Sequence, residues 1–200
     1  LQESPELIKQ RLSRALEPLG NLAGIPGILE SPITPHVLAG NTILVEYEDQ
    51  RQLLAHLRKA VLTWAKREML LGPWRDLSWV CATPRLLMDS MLGSSKDFGG
   101  VGKDPALMAR VWASDLMVVR AASFPPYLAA QSHINHILQQ RREKQQATVF
   151  CSMAAGDLFT HPDKVDPQFQ ALLNNAPCIT LDAGAFRAEV AAWTKRKRAK

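Results

Sequence analysis

Apolar and polar positions follow two rhythms along this chain. Five short runs rich in apolar and β-branched residues, Thr42 to Val45, Leu77 to Cys81, Leu116 to Val119, Thr148 to Cys151 and Cys178 to Leu181, are separated by longer stretches with helical spacing. Those stretches cover about residues 50 to 70, 84 to 92, 105 to 113, 126 to 145 and 167 to 174. Short buried strands alternating with crossover helices are the pattern of a parallel sheet covered on both faces. The expected fold is therefore α/β, a three-layer parallel five-stranded sheet with helices on both faces. Ahead of it, Ser4-Pro5-Glu6 supplies an N-cap, a proline for the first helical position and an acid for the first turn, which predicts a helix over residues 5 to 19. From Gly20 to Gly40 the glycine, proline and asparagine punctuation predicts a lead-in loop whose Ile and Leu residues dock on the main domain. The expected organisation is an N-terminal helix and loop (1–40), the α/β domain (41–187) and a basic tail (188–200).

Projected at about 100° per residue, the helix over 50 to 70 carries Leu53, Leu54, Leu57, Ala60, Val61, Trp64 and Ala65 on one arc. Arg51, Arg58, Lys59 and Lys66 lie opposite, interrupted by Leu62. That basic arc reads first as a solvated face and second as a stripe facing nucleic acid.

The chain has 200 residues with 46% hydrophobic and 22% charged side chains, the balance of a globular domain that buries a sizeable core. Its net charge of +5 is local, because Lys195, Arg196, Lys197, Arg198 and Lys200 close the sequence without an acid and the preceding residues balance. Such a distribution argues against a basic surface spread over the whole domain and for a terminal phosphate contact that ignores base sequence. A solubilising terminus is the competing reading of the same residues. No run approaches the roughly 18 apolar residues of a membrane span and none reads as a signal peptide, so a soluble cytoplasmic protein is expected. Cys81, Cys151 and Cys178 stand far apart without a C-x-x-C pair and read as small core residues.

In a parallel α/β sheet, ligands bind beyond the carboxyl ends of the strands. A phosphate-binding loop there needs glycines for close backbone approach, a lysine, and a Ser or Thr for the metal. The loop after the first run reads Val45-Glu46-Tyr47-Glu48-Asp49-Gln50-Arg51-Gln52, with three acids and no glycine. The segment Gly99-Gly100-Val101-Gly102-Lys103-Asp104 looks closer to a phosphate loop, but Asp97 and Asp104 occupy its first-glycine and Ser/Thr positions and it follows a helix. The third run ends in Arg120, where metal-binding carboxylates are needed, and the fourth leads into Ser152-Met153, where a polar residue would orient water.

These residues resemble the AAA+ ATPases of the DnaC-type helicase loaders and the IstB-type transposition helpers. Ala23-Gly24-Ile25-Pro26 is similar to the family's lead-in. Leu53-Leu54-Ala55-His56-Leu57 resembles the helix after the P-loop, in a register that places Arg51 at the lysine position and Gln52 after it. Val80 to Leu87 resembles the second strand and its helix, Asp115 to Val119 the Walker B strand, and Ala147 to Leu158 the sensor strand and its turn. Cys178 to Leu181 followed by Gly184-Ala185-Phe186-Arg187 is similar to the closing strand and the motif after it. The resemblance spans about residues 22 to 187 and rests on framework positions. It implies an AAA+ scaffold, while Arg51, Gln52, Arg120 and Met153 mark a degenerate nucleotide site.

His133 and His136 are three apart, with no third ligand at metal spacing, so no metal is expected. Ser123, Cys151 and Ser152 have no adjacent base or nucleophile elbow, and no catalytic residue is assigned. Arg141, Arg142 and Lys144 read as cations that complement a helix C-terminus.

Together these readings predict a pseudo-ATPase with no cofactor, acting as a scaffold or adaptor in DNA replication, recombination or mobile-element maintenance. Its expected partners are a protein of that machinery and nucleic acid, met by the tail (Lys195, Arg196, Lys197, Arg198, Lys200) with Arg58 and Lys59; homo- or hetero-oligomerisation stays open. An active divergent ATPase completed by a partner subunit and a plain DNA-binding module are the alternatives.

Overall fold

The computed structural model describes residues 4–71, 78–83, 87, 105–120, 128–153 and 164–198. Its first helix, α1 (Pro5–Leu16), begins where Ser4 Oγ accepts the Leu7 N–H at 3.3 Å, and a single 3-10 turn (Glu17–Leu19) continues it. The lead-in segment is less irregular than its punctuation suggests, since it contains a short helix α2 (Thr34–Leu38). Pro35 presets the helical φ there, and burial of Ile33 and Val37 holds the turn in place.

Strands and helices then alternate: β1 (Thr42–Glu46), α3 (Gln50–Leu71), β2 (Trp79–Ala82), α4 (Pro105–Ala113), β3 (Leu116–Val119), α5 (Leu128–Glu143), β4 (Ala147–Ser152), α6 (Pro167–Asn174), β5 (Cys178–Thr180) and α7 (Ala183–Arg198). The five strands form one sheet in the order β2-β3-β4-β1-β5. Every pairing is parallel, with Thr42 opposite Thr148 and Leu44 opposite Cys178. The expected strand start at Leu77 and most of the helix expected over 84 to 92 lie outside the described residues.

The pleat sends alternate residues to opposite faces. Ile43, Val45, Val118, Val149 and Cys151 pack with α1, α2 and α3 through Leu19, Val37, Leu57, Val61 and Trp64. Leu44, Met117, Val119 and Phe150 pack on the other side with α4, α5 and α6 through Val111, Ile134, Leu138 and Phe169. This is the three-layer arrangement that strands buried on both faces require. A smaller cluster, Ile28, Ala55 and Phe186, seats α7 against α3 and the lead-in segment.

One expectation needs correction and two gain structural detail. The expected basic tail (188–200) is helical as far as Arg198, because α7 runs unbroken from Ala183 to Arg198; Ala188, Ala191 and Ala192 and the following Lys and Arg residues are strong helix formers. Cys178 is exposed rather than in the core, since β5 is a short edge strand, whereas Cys151 is buried and Cys81 half-buried. Arg141 stands in the last turn of α5, as expected, but as a core residue, being 1% exposed. Its Nε donates to Thr148 Oγ1 at 3.0 Å, its Nη2 to the Ala147 carbonyl at 2.7 Å, and its Nη1 to the Val111 and Ser114 carbonyls at 2.9 and 2.8 Å and to Ser114 Oγ at 3.1 Å. One guanidinium thus ties α5, the start of β4 and the turn between α4 and β3. Burial pulls it down to about 10, with Asp115 acting in the opposite sense, so it stays charged at neutral pH.

Candidate functional site

The strand order fixes where a ligand would sit. From β1 the chain crosses to β2 at one edge, and from β4 it crosses to β5 at the other, so the neighbours β1 and β4 send their connections in opposite directions. The crevice beyond their carboxyl ends is the topological switch point.

The β1 side of this crevice is acidic and held by the chain's own hydrogen bonds. The Tyr47 N–H donates to the Ser152 carbonyl at 3.1 Å, carrying the β1–β4 ladder one residue past the strand, and Thr180 Oγ1 donates to Glu46 Oε2 at 2.9 Å. Glu48 and Asp49 are exposed. Asp49 Oδ1 accepts the Arg51 N–H at 2.8 Å, so a carboxylate takes one amide of the first turn of α3, where a phosphate-binding loop would present its amides to the ligand. Arg51 is exposed and donates from Nη2 to the Gly24 carbonyl at 3.2 Å. Gln52 is wholly buried, and neither atom of its amide has a hydrogen-bond partner. It therefore lies in the interior, whereas its neighbour Arg51 is exposed.

Arg120 continues β3 and donates its N–H to the Ala82 carbonyl at 2.8 Å. The Arg120 cation acts on Tyr47, Cys81 and Cys151, partly opposing the upward push that burial gives all three. A cation therefore stands over the strand ends. Met153, after β4, is 66% exposed.

A cleft of about 370 Å³ opens between the lead-in segment, the start of α3 and α7. Pro26, Phe186 and Val190 provide its apolar wall and Glu48, Asp49, Arg51 and Arg187 its charges. Of the four expected site residues, only Arg51 lines it; Gln52, Arg120 and Met153 do not. Arg187 entered the sequence reading only as part of a framework motif, and its place in the cleft was signalled by that motif alone. Behind the cleft, the Phe186 ring lies 6.2 Å from His56. His56 is buried with Nδ1 unpartnered, and burial lowers its pKa while Glu189 acts to raise it.

The expected nucleic-acid residues divide. Arg58 and Lys59 are half-buried, and Arg58 Nη1 donates to the Ile25 carbonyl at 3.2 Å, so Arg58 braces the lead-in segment. Lys195 is exposed on α7; Arg196, Lys197 and Arg198 continue the same helix, and Lys200 lies outside the described residues. His133 and His136 are exposed, and His136 Nε2 is 3.0 Å from Gln140 Nε2. No group of three or more His, Cys, Asp or Glu is placed to hold a metal among the described residues. No helix of the described residues is long and apolar enough to cross a membrane. Ser123 and the Gly99 to Lys103 segment lie outside the described residues.

Among solved structures, the chain is similar to domain III of the Thermotoga maritima replication initiation protein DnaA, with a TM-score of 0.52 and 12% identity over 100% of this chain and 72% of that one. It is also similar to AMPPCP-bound DnaA from Aquifex aeolicus, with a TM-score of 0.51 and 13% identity over 91% of this chain and 48% of that one. Against the replication initiator DnaA bound to AMPPCP and single-stranded DNA the values are 0.50 and 14%, over 91% and 47%. The chain spans about half the length of these last two proteins. No family model matches the chain, and no curated protein matches it. The likeness shows the fold: a parallel five-stranded α/β domain like domain III of DnaA, in agreement with the fold expected from the sequence.

Proposed function

We propose that this domain is a catalytically degenerate AAA+-like module that acts as a scaffold or adaptor in DNA replication or a related process, with its basic C-terminal segment contacting nucleic acid. The observation that carries the reading is the chemistry of the switch-point loop. Glu48 and Asp49 stand where a triphosphate would need glycine amides and a lysine, and Asp49 already occupies the first turn of α3. Like charges at about 4 Å repel by about 1 kcal/mol in water and about 4 kcal/mol near a protein surface, and a triphosphate meets several such approaches. Arg120 cannot ligate magnesium, and Met153 cannot orient a hydrolytic water. Replication is suggested by the likeness to DnaA, a replication initiation protein, together with the helicase-loader-like motifs.

Isothermal titration of the whole chain with ATP and magnesium, with a hydrolysis assay alongside, tests the emptied site. The expected result is neither micromolar binding nor turnover. Micromolar affinity with turnover refutes the degenerate reading and favours the divergent ATPase.

A further inference from the structure

How a basic segment meets nucleic acid, and which kind, depends on whether the segment is loose or folded. A loose tail would engage any polyanion. The structure instead carries Lys195 through Arg198 on the last turns of α7, a 16-residue helix seated on α3 through Phe186.

The charges of α7 are segregated. Its basic residues are Arg187, Lys195, Arg196, Lys197 and Arg198, and its single acid is Glu189. Glu189 is half-buried, and its Oε1 accepts the Leu29 N–H at 2.6 Å. The acid is thereby turned to the lead-in segment; Ala188, Ala191, Ala192 and Lys195 are exposed on the outer face, and exposed Arg187 stands at its margin with the cleft that Glu48 and Asp49 also line. Arg187 and Lys195 are eight residues apart, about 12 Å along the axis. A helix C-terminus favours cations only within its last turn, so the dipole does not account for Arg187 near the start of α7.

We propose that this outer face of α7 is a docking surface for duplex DNA, the helix lying against the phosphate backbone at the major groove. The inference rests on the nucleic-acid contact proposed above. Charge complementarity selects a polyanion. Small side chains between the cations hold the helix near its minimum width of about 10 Å, and a major groove about 12 Å wide admits it. A single strand would call for aromatic side chains on which bases stack, and the described exposed residues of this face include none. Cations that meet phosphates and alanines that meet groove walls confer affinity without base readout, so the surface binds duplexes of different sequence alike.

The test is fluorescence anisotropy of the full chain with a labelled duplex of about two helical turns and with a single strand of equal length. The expected result is preferential duplex binding that falls about a thousandfold between about 50 and 200 mM salt. An Ala188→Glu/Ala191→Glu variant puts two carboxylates on the outer face at positions that tolerate Glu in a helix; it is expected to weaken duplex binding at least about tenfold while circular dichroism and the thermal midpoint stay unchanged. In a second variant Lys195, Arg196, Lys197, Arg198 and Lys200 are replaced by Gln. If that variant loses binding while the double Glu variant binds like wild type, the α7 face is wrong and the basic-tail reading stands. Preference of the wild type for the single strand overturns the duplex assignment and leaves the tail contact intact. Absence of binding to either probe at low salt overturns both.

Discussion

Arg141→Met replaces a buried, five-bonded guanidinium by an apolar chain of similar length. Met fills most of the space, so the expected loss is polar rather than volumetric. The substitution removes charge-assisted bonds to the Val111, Ser114 and Ala147 carbonyls and to Thr148 Oγ1 and Ser114 Oγ, atoms that sit beneath the sheet with little access to water. Charge-assisted hydrogen bonds contribute about 1.5–3 kcal/mol each in isolation, but five donated by one group share one desolvation cost and do not add. Removing one member of a buried charged network costs about 3–5 kcal/mol, a large share of the roughly 5–15 kcal/mol that stabilises a domain. With a urea slope of about 2 kcal/mol per molar, the unfolding midpoint should drop by about 1.5–2.5 M, followed by circular dichroism with slopes compared between proteins. Arg141→Lys keeps the charge but lacks the planar fork, and should lose about half as much. A fall of less than about 0.5 M for the Met variant would refute the view that this guanidinium ties α5 to the sheet.

Gly40 and Gly24 both have positive φ, 72° and 73°, but an added Cβ meets the Gln145 backbone only at Gly40. Gly24→Ala should cost about 1 kcal/mol, or about 2–4 °C in thermal midpoint, and Gly40→Ala clearly more; equal losses in a paired melt would show that the Gln145 contact is not limiting. Because burial lowers the His56 pKa below its unfolded value, the unfolded chain takes up the proton first. Stability that His56 allows is therefore full above about pH 6.5 and falls as pH drops below it, levelling off once the folded pKa is passed. His56→Leu should flatten that part of the pH–stability curve, and an unchanged slope would remove His56 as its source.

The sheet was legible because its strands are buried on both faces, which produces apolar runs such as Leu116 to Val119 that no amphipathic helix shares. Helix α3 was legible because its buried arc repeats strictly, from Leu53 to Ala65. Arg141 was not legible, since its role depends on carbonyls some 30 residues earlier in the chain and on a hydroxyl in the next strand, contacts without a local signature. The continuity of α7 was obscured for the opposite reason. A run of cations reads as a solvated tail by charge, yet Lys and Arg favour helices, and the Phe186 anchor lies ten residues upstream of Arg196. At the switch point, the acids were legible in the loop after the first run and Arg51 in the register that the family resemblance implies, whereas the burial of Gln52 depends on the rotation of the first turn of α3, which that register does not specify.

The cleft is closed by intrachain bonds that make a ligand unnecessary for its shape. Arg51 and Arg58, on one helix, hold the consecutive carbonyls of Gly24 and Ile25, while Glu189 of α7 holds the Leu29 N–H on the same lead-in segment. Phe186 packs with Ile28 and Ala55 between these attachments. Three elements that border the crevice are thus fastened to one another from within. A ligand that had to organise them would gain affinity from the ordering, and its removal would loosen α7. On the scaffold reading proposed above, bonds that fasten these elements from within the chain would hold α7 at a constant angle.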